Sequence, residues 1–223
     1  LIILNSPANP TGGVVPQEEL TKLAVGLEKF PNVYVLSDEI YSRILFDNHS
    51  HHSLLSYNNI KDRVIVLDGW SKTYSMTGWR LGYGIFPKKI FSFAEKLAIN
   101  CHSCVNSAAQ FAGIEALTGS QDSVNKMIEE FKVRRDFLVK ELNNIKNVEC
   151  KKPGGAFYVF PKVIKENLSS IEISRYLLEN KFIATVPGSS FGDKGEGFLR
   201  ISYANTIDNL KKFVYHLNIF MNE

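Results

Sequence analysis

A lysine just beyond a buried strand is poorly placed for packing and well placed for chemistry. Val64-Ile65-Val66-Leu67 is a short apolar run that predicts a buried strand, and Lys72 follows it in Asp68-Gly69-Trp70-Ser71-Lys72-Thr73. The stem of such a lysine can lie along apolar surface, but partial desolvation disfavours the charged form of an amine. A neutral amine is a nucleophile toward aldehydes and ketones, which makes Lys72 a candidate Schiff-base lysine. Arg80 lies eight residues on, between Gly78 and Gly82, and a guanidinium flanked by permissive glycines suits a phosphate held close to the backbone. The plain alternative for both is a solvated surface cation.

Other polar residues arrive where apolar runs end. Leu1-Ile2-Ile3-Leu4 enters Asn5-Ser6-Pro7-Ala8-Asn9-Pro10-Thr11-Gly12-Gly13, a rigid loop that is either a simple turn or a ligand loop at the carboxyl end of a strand. Val33-Tyr34-Val35-Leu36 is followed by Ser37-Asp38-Glu39-Ile40-Tyr41, where Asp38 could cap a helix or bind a metal. Arg200 stands in the middle of the apolar run Phe198-Leu199-Arg200-Ile201. A buried guanidinium there needs an anionic partner, either a structural salt bridge or a ligand.

Taken in order, these segments resemble those of fold-type I aminotransferases, the aspartate aminotransferase-like class that uses pyridoxal 5'-phosphate (PLP). The match comprises the Asn-x-Pro-x-Asn-Pro-x-Gly loop, the Asp38-x-x-Tyr41 pair, the lysine segment with Arg80 and the Arg200-x-Ser202 strand. The resemblance implies that Lys72 carries the cofactor as an internal aldimine and that Arg80 binds its phosphate. Asn9 and Tyr41 would face the phenolic oxygen, Asp38 the pyridine nitrogen, and Arg200 the substrate α-carboxylate. Catalysis would then rest on Lys72, Asp38 and Tyr41, in a ping-pong exchange between an amino acid and a 2-oxo acid. One position departs: the family often has a phosphate-binding serine three residues before the lysine, and Gly69 stands there.

The elements that must position these groups are legible as patterns. A helix is expected from Pro16, with Leu20, Leu23, Ala24 and Leu27 inward and Glu18 and Glu19 at its positive end. Residues 40–46 are expected as an outward strand, 81–86 as another, then helices from Pro87 to about His102 and over residues 106–118, closed by Gly119. Ser120 to about Lys146 has the longest helical periodicity, with Glu129, Glu130, Lys132, Arg134, Arg135 and Asp136 read as its solvated face. Beyond it come short strands near residues 148–149, 157–160, 183–186 and 198–203, a capping box at Ser169-Ser170-Ile171-Glu172, and a last helix capped by Thr206. The expected fold class is α/β: a PLP-dependent transferase-like fold comprising part of a large domain with a mainly parallel sheet (residues 1–119), and a smaller α+β C-terminal domain that includes the long linking helix (residues 120–223).

The totals exclude several classes. With 44% hydrophobic and 22% charged residues the chain can bury a core, and a net charge of +3 without a long basic run gives no reason to expect nucleic acid as a partner. No apolar stretch is long enough to cross a bilayer, so no membrane partner is expected. Three cysteines form no secreted disulfide scaffold, and the single Cys101-x-x-Cys104 reads as two ordinary thiols. His49, His51 and His52 have no second ligand group at metal-site spacing, so no metal is expected. The chain opens directly in a strand pattern, so it is expected to be the C-terminal part of a longer enzyme, with any targeting signal upstream and a cytoplasmic location as the default. The resemblance implies a homodimer. It also leaves open a PLP-dependent carbon–sulfur β-lyase or related synthase on the same scaffold, or an inactive fragment.

Overall fold

The structure, a computed structural model, describes residues 1–223. The chain groups into two compact units, one of Leu1–Pro7 with Val14–Lys126, the other of Ala8–Gly13 with Met127–Glu223.

In the first unit, strands β1 (Ile2–Asn5), β2 (Val35–Asp38), β3 (Val64–Gly69) and β4 (Gly82–Ile85) form one sheet in that order. β1, β2 and β3 run parallel, and β4 returns antiparallel to β3. Helix α1 (Gln17–Glu28) connects β1 to β2, with Pro16 as its N-cap residue rather than its first helical position. It buries Leu20, Ala24 and Leu27 against Val35, Val64, Val66, Leu54 and Ile60. Each such leucine contributes roughly 1.5–3 kcal/mol on leaving water, so this core holds the strand ends in place. The unit continues with α2 (Trp70–Thr73), α3 (Lys88–His102) and α4 (Ser107–Thr118), the last capped by Asn106 through its side chain to Ala109 N–H.

The outward strand expected over residues 40–46 is not formed. The chain turns instead, because Ser42 N–H donates to Glu39 C=O and Ile44 N–H to Tyr41 C=O. Ile44 and Phe46 are buried and anchor the turn from below.

Helix α5 (Asp122–Asn143) starts in the first unit, and from Met127 onward belongs to the second. The second unit adds β5 (Val148–Glu149), β6 (Tyr158–Val159), β7 (Lys162–Val163), α6 (Ser170–Lys181), β8 (Val186–Pro187), β9 (Leu199–Ser202) and α7 (Ile207–Asn222). β5 pairs with β7, and β9 lies between β6 and β8, all antiparallel. Ser169 and Glu172 form the capping box of α6, and Thr206 accepts Asn209 N–H at the start of α7. The face assigned to α5 needs one correction: Arg135 is fully buried, not solvated. Its guanidinium donates to Pro153 C=O at 3.0 Å and pairs with Asp136 at 2.7 Å, so the charge enters the core already partnered. No helix is long and apolar enough to cross a membrane.

Candidate functional site

The lysine segment begins where β3 ends. Gly69 pairs with Gly82 across the antiparallel turn-back, and a Cβ on Gly69 would sit 2.8 Å from Gly82 Cα and 3.0 Å from Leu81 O. Backbone occupies the space of a side chain at position 69, where the resemblance leads to the expectation of serine. The next residues wind into α2, with Thr73 buried and Lys72 half-buried one position before it. Trp70 fixes this turn: its Nε1 donates to Gly113 C=O at 2.9 Å, and its ring meets Tyr83 edge-on at 5.5 Å.

Arg80 is exposed, and its Nη1 donates to Thr77 C=O at 2.9 Å. Arg80 itself is left-handed, at φ 57° and ψ 46°. That turn lets β4 begin two residues later. A cavity of about 960 Å³ lies beside Arg80, lined also by Ser75, Trp79, His102, Cys104 and Asn106. Among the candidate residues only Arg80 borders it.

Asp38 ends β2, the parallel neighbour of β3, and pairs in register with Leu67. Its Oδ1 accepts Ile40 N–H at 3.2 Å, so it caps a turn rather than a helix. Tyr41 is buried at the far end of that turn. Two residues on, Arg43 Nη1 donates to Tyr74 Oη at 3.2 Å and to Gln121 Oε1 at 2.7 Å, tying the Asp38–Tyr41 turn to the lysine segment.

Two carboxylates here were not singled out from sequence. Glu39 is buried among Ser37, His51 and Ser53. Asp68, at the end of β3, is raised above the usual carboxylate range, first by burial and also by the charge of Glu39. Hydrogen bonds from Gly69 N–H at 2.7 Å and Tyr83 Oη at 3.3 Å pull the other way. A charged residue at the end of an otherwise apolar run was the available signal for both. Of the three histidines, His51 serves Glu39 and His52 contacts Ser50, and no group of three or more His, Cys, Asp or Glu side chains is placed to hold a metal ion.

In the second unit the Asn9 loop is held by glycines. Gly12 is left-handed at φ 66°, and a Cβ on it would collide with Pro153. Its carbonyl accepts both Gly154 N–H and Gly155 N–H at 3.0 Å. Asn9 Oδ1 accepts from Arg200 Nη1 at 2.9 Å. Arg200 is half-buried on β9 rather than fully buried, and its guanidinium lies over the rings of Tyr158 at 4.6 Å and Phe191 at 5.2 Å. Two aromatic faces and an amide oxygen surround it, and no salt bridge to a carboxylate is formed.

A sequence model of the family described as aminotransferase class I and II matches residues 1–217. The putative aminotransferase YugH of Bacillus subtilis is 37% identical over 222 residues, which are 100% of this chain and 57% of that protein. The probable N-acetyl-LL-diaminopimelate aminotransferase of the same organism is 40% identical over 220 residues, 99% of this chain and 55% of that protein. Among solved structures, an aromatic aminotransferase from Pyrococcus horikoshii OT3 superposes with a TM-score of 0.94 at 35% identity, covering 99% of this chain and 59% of that one. The chain thus spans 55–57% of the length of these curated relatives.

Proposed function

This chain belongs to the aminotransferase class I and II family, and from that premise we propose that it supplies the reactive lysine, the ring-nitrogen partner and the carboxylate-binding arginine of a PLP-dependent aminotransferase. The observation that carries the reading is the sheet adjacency: Asp38 closes β2, and Lys72 follows the end of β3, its parallel neighbour. In open sheets of this kind ligands gather at the carboxyl ends of the strands.

The donor set fits the cofactor. Asp38 has one oxygen on Ile40 N–H and the other left for a protonated ring nitrogen. Arg80 is exposed, with only Nη1 committed to Thr77 C=O, which leaves guanidinium donors for a phosphate. When bound, PLP supplies an electron sink for the bond to the α-carbon. Lys72 Nζ is the amine that attaches the cofactor and, once released, carries the α-proton. Asp38 favours the cationic ring, and the Tyr41 hydroxyl and the Asn9 amide donate to a phenolate-type oxygen. Arg200, oriented by Asn9 and its two rings, grips the α-carboxylate of the amino acid with two parallel hydrogen bonds. In this reading residues 1–119 are the C-terminal part of the large domain and residues 120–223 the small one. The working protein is a cytoplasmic homodimer that exchanges an amino group between an amino acid and a 2-oxo acid.

Borohydride reduction in the presence of PLP, followed by peptide mapping, tests this. The expected result is one modified peptide carrying the label on Lys72, lost in Lys72→Ala. Label on another lysine, or none on the full-length protein, would overturn it. Amino transfer that depends on a 2-oxo acid, without release of pyruvate and ammonia, separates transamination from β-elimination.

A further inference from the structure

The residue between Asp38 and the Ile40-Tyr41 pair has no part in the roles above, yet its side chain is buried and held by three side-chain hydrogen bonds. Glu39 is buried, its side chain 8% exposed. Its Oε1 accepts from Ser37 Oγ at 2.9 Å and from Ser53 Oγ at 2.8 Å, and its Oε2 lies 2.7 Å from His51 Nε2. Ser37 belongs to β2, while His51 and Ser53 come from the loop that follows the turn. Ser53 is itself fixed, because it also accepts Leu55 N–H, next to the fully buried Leu54. The backbone of Glu39 is held as well: its N–H donates to Leu67 C=O at 2.9 Å, and its C=O accepts Ser42 N–H at 2.8 Å.

An apolar side chain would fill this place without the desolvation penalty of a carboxylate. What a carboxylate adds is direction. Three donors from two segments converge on it, and moving it leaves them unpaired in a partly buried site, which a packed methyl group would not. Asp38 immediately precedes this pinned residue, and Tyr41 lies two residues after it. Their side chains therefore inherit its orientation.

We propose that Glu39, clamped by Ser37, His51 and Ser53, is a positioning residue that sets the turn on which Asp38 and Tyr41 are presented to the ring of the cofactor. What Asp38 and Tyr41 do rests on the function proposed above; the setting of the turn does not.

The test uses Glu39→Ala, Glu39→Gln and His51→Gln, with Leu27→Ala in the core of α1 as a control for lost stability alone. Glutamine keeps the shape: its oxygen accepts both serine hydroxyls, and its amide donates to His51 Nε2 when the imidazole proton sits on Nδ1. In the cofactor-free chain, amide hydrogen exchange at Ile40 and Ser42 is expected to speed up at least tenfold in Glu39→Ala. It should stay within about threefold of the parent in Glu39→Gln, with the amides of α1 unchanged in both. In the PLP-loaded full-length protein, Glu39→Ala is expected to raise the cofactor's Kd at least tenfold and to displace the pH midpoint of its visible absorbance band. Glu39→Gln should restore both, and Leu27→Ala should lower Tm without moving the midpoint. Unchanged exchange at residues 40–42 in Glu39→Ala overturns the proposal, as does an equal speeding-up everywhere. A changed exchange with an unmoved midpoint leaves Glu39 merely structural and also overturns it. Should Glu39→Ala fail to fold, His51→Gln combined with Ser53→Ala is read by the same measurements. Should the full-length protein bind no PLP, the functional reading falls and the exchange data still decide the turn.

Discussion

Arg200 reaches Asn9 across 191 residues of chain, with Nη1 2.9 Å from Oδ1. The contact orients both groups at once. It fixes the asparagine amide with its oxygen toward the arginine, and it steadies a guanidinium already lying over Tyr158 and Phe191.

The first prediction follows from that contact. Arg200→Lys keeps the charge but loses the planar fork and the stacking. Lost charge-assisted hydrogen bonds are worth about 1.5–3 kcal/mol, so KM for the amino donor is expected to rise roughly 10- to 100-fold, with Tm little changed. Asn9→Ala should make part of the same change, and the double variant should fall short of the sum of the two, because the residues act as one unit. Steady-state kinetics on the four proteins of the cycle decides it. Additive effects would show that the contact is incidental.

Position 69 offers a test by stability. A Cβ there meets Gly82 Cα at 2.8 Å and Leu81 O at 3.0 Å, both backbone atoms that cannot swing aside. Gly69→Ala and Gly69→Ser are both expected to destabilise the fold by about 1–3 kcal/mol, the usual range for forced overpacking. Urea unfolding gives the number. A serine variant as stable as the parent would mean that β4 yields readily.

Asp68 offers a pH test with a definite sign. Its carboxyl is raised above the ordinary range, chiefly by burial. Between the unfolded value and the raised folded value, the native state holds more protons than the unfolded one. Its contribution is therefore fully present below the unfolded pKa and is lost as pH rises through the folded value. Asp68→Asn removes the ionisation and is expected to flatten the fall of Tm as pH rises past the ordinary carboxylate pKa, and to raise Tm at pH 7. A variant whose Tm falls more steeply with rising pH would contradict this.

The thiols separate by environment. Burial pushes the Cys150 thiol up to about 12, while Cys101 and Cys104 are exposed. A thiol-specific reagent at pH 8 is expected to label Cys101 and Cys104 promptly and Cys150 only on unfolding. Mass mapping after brief labelling reads the order directly.

Much of this arrangement was legible because strand ends and chemistry coincide in the chain. Asp38, Tyr41 and Lys72 each follow an apolar run, and the proline- and glycine-rich loop around Asn9 marked itself. What was not legible depends on distant partners. The apolar residues of the 40–46 segment look like a strand, but hydrogen bonds at Glu39 and Tyr41 turn the chain there. Arg80, not its glycine neighbours, takes the left-handed backbone, which no spacing rule reveals. Glu39 reads as one more polar residue until Ser37, His51 and Ser53 are seen around it. Arg135 stands among charged neighbours at helical spacing, and only Pro153, 18 residues on, shows that it points inward.

That inward arginine carries the last prediction. Arg135 is 0% exposed, donates to Pro153 C=O and pairs with Asp136, whose side chain is 43% exposed. Pro153 adjoins Gly154 and Gly155, whose N–H groups hold Gly12 in the Asn9 loop. Arg135→Ala removes the donor from a buried carbonyl and opens a cavity, so a loss of about 3–5 kcal/mol in urea unfolding is expected. Arg135→Met keeps most of the volume but leaves the Pro153 carbonyl without the same donor, so it should lose less than Arg135→Ala by about the cavity contribution alone. If methionine loses as much as alanine, hydrogen bonding rather than filled space is what the guanidinium contributes. In either case, hydrogen exchange at Gly154 and Gly155 should quicken in both variants if the carbonyl contact steadies the Asn9 loop, and remain unchanged if it does not.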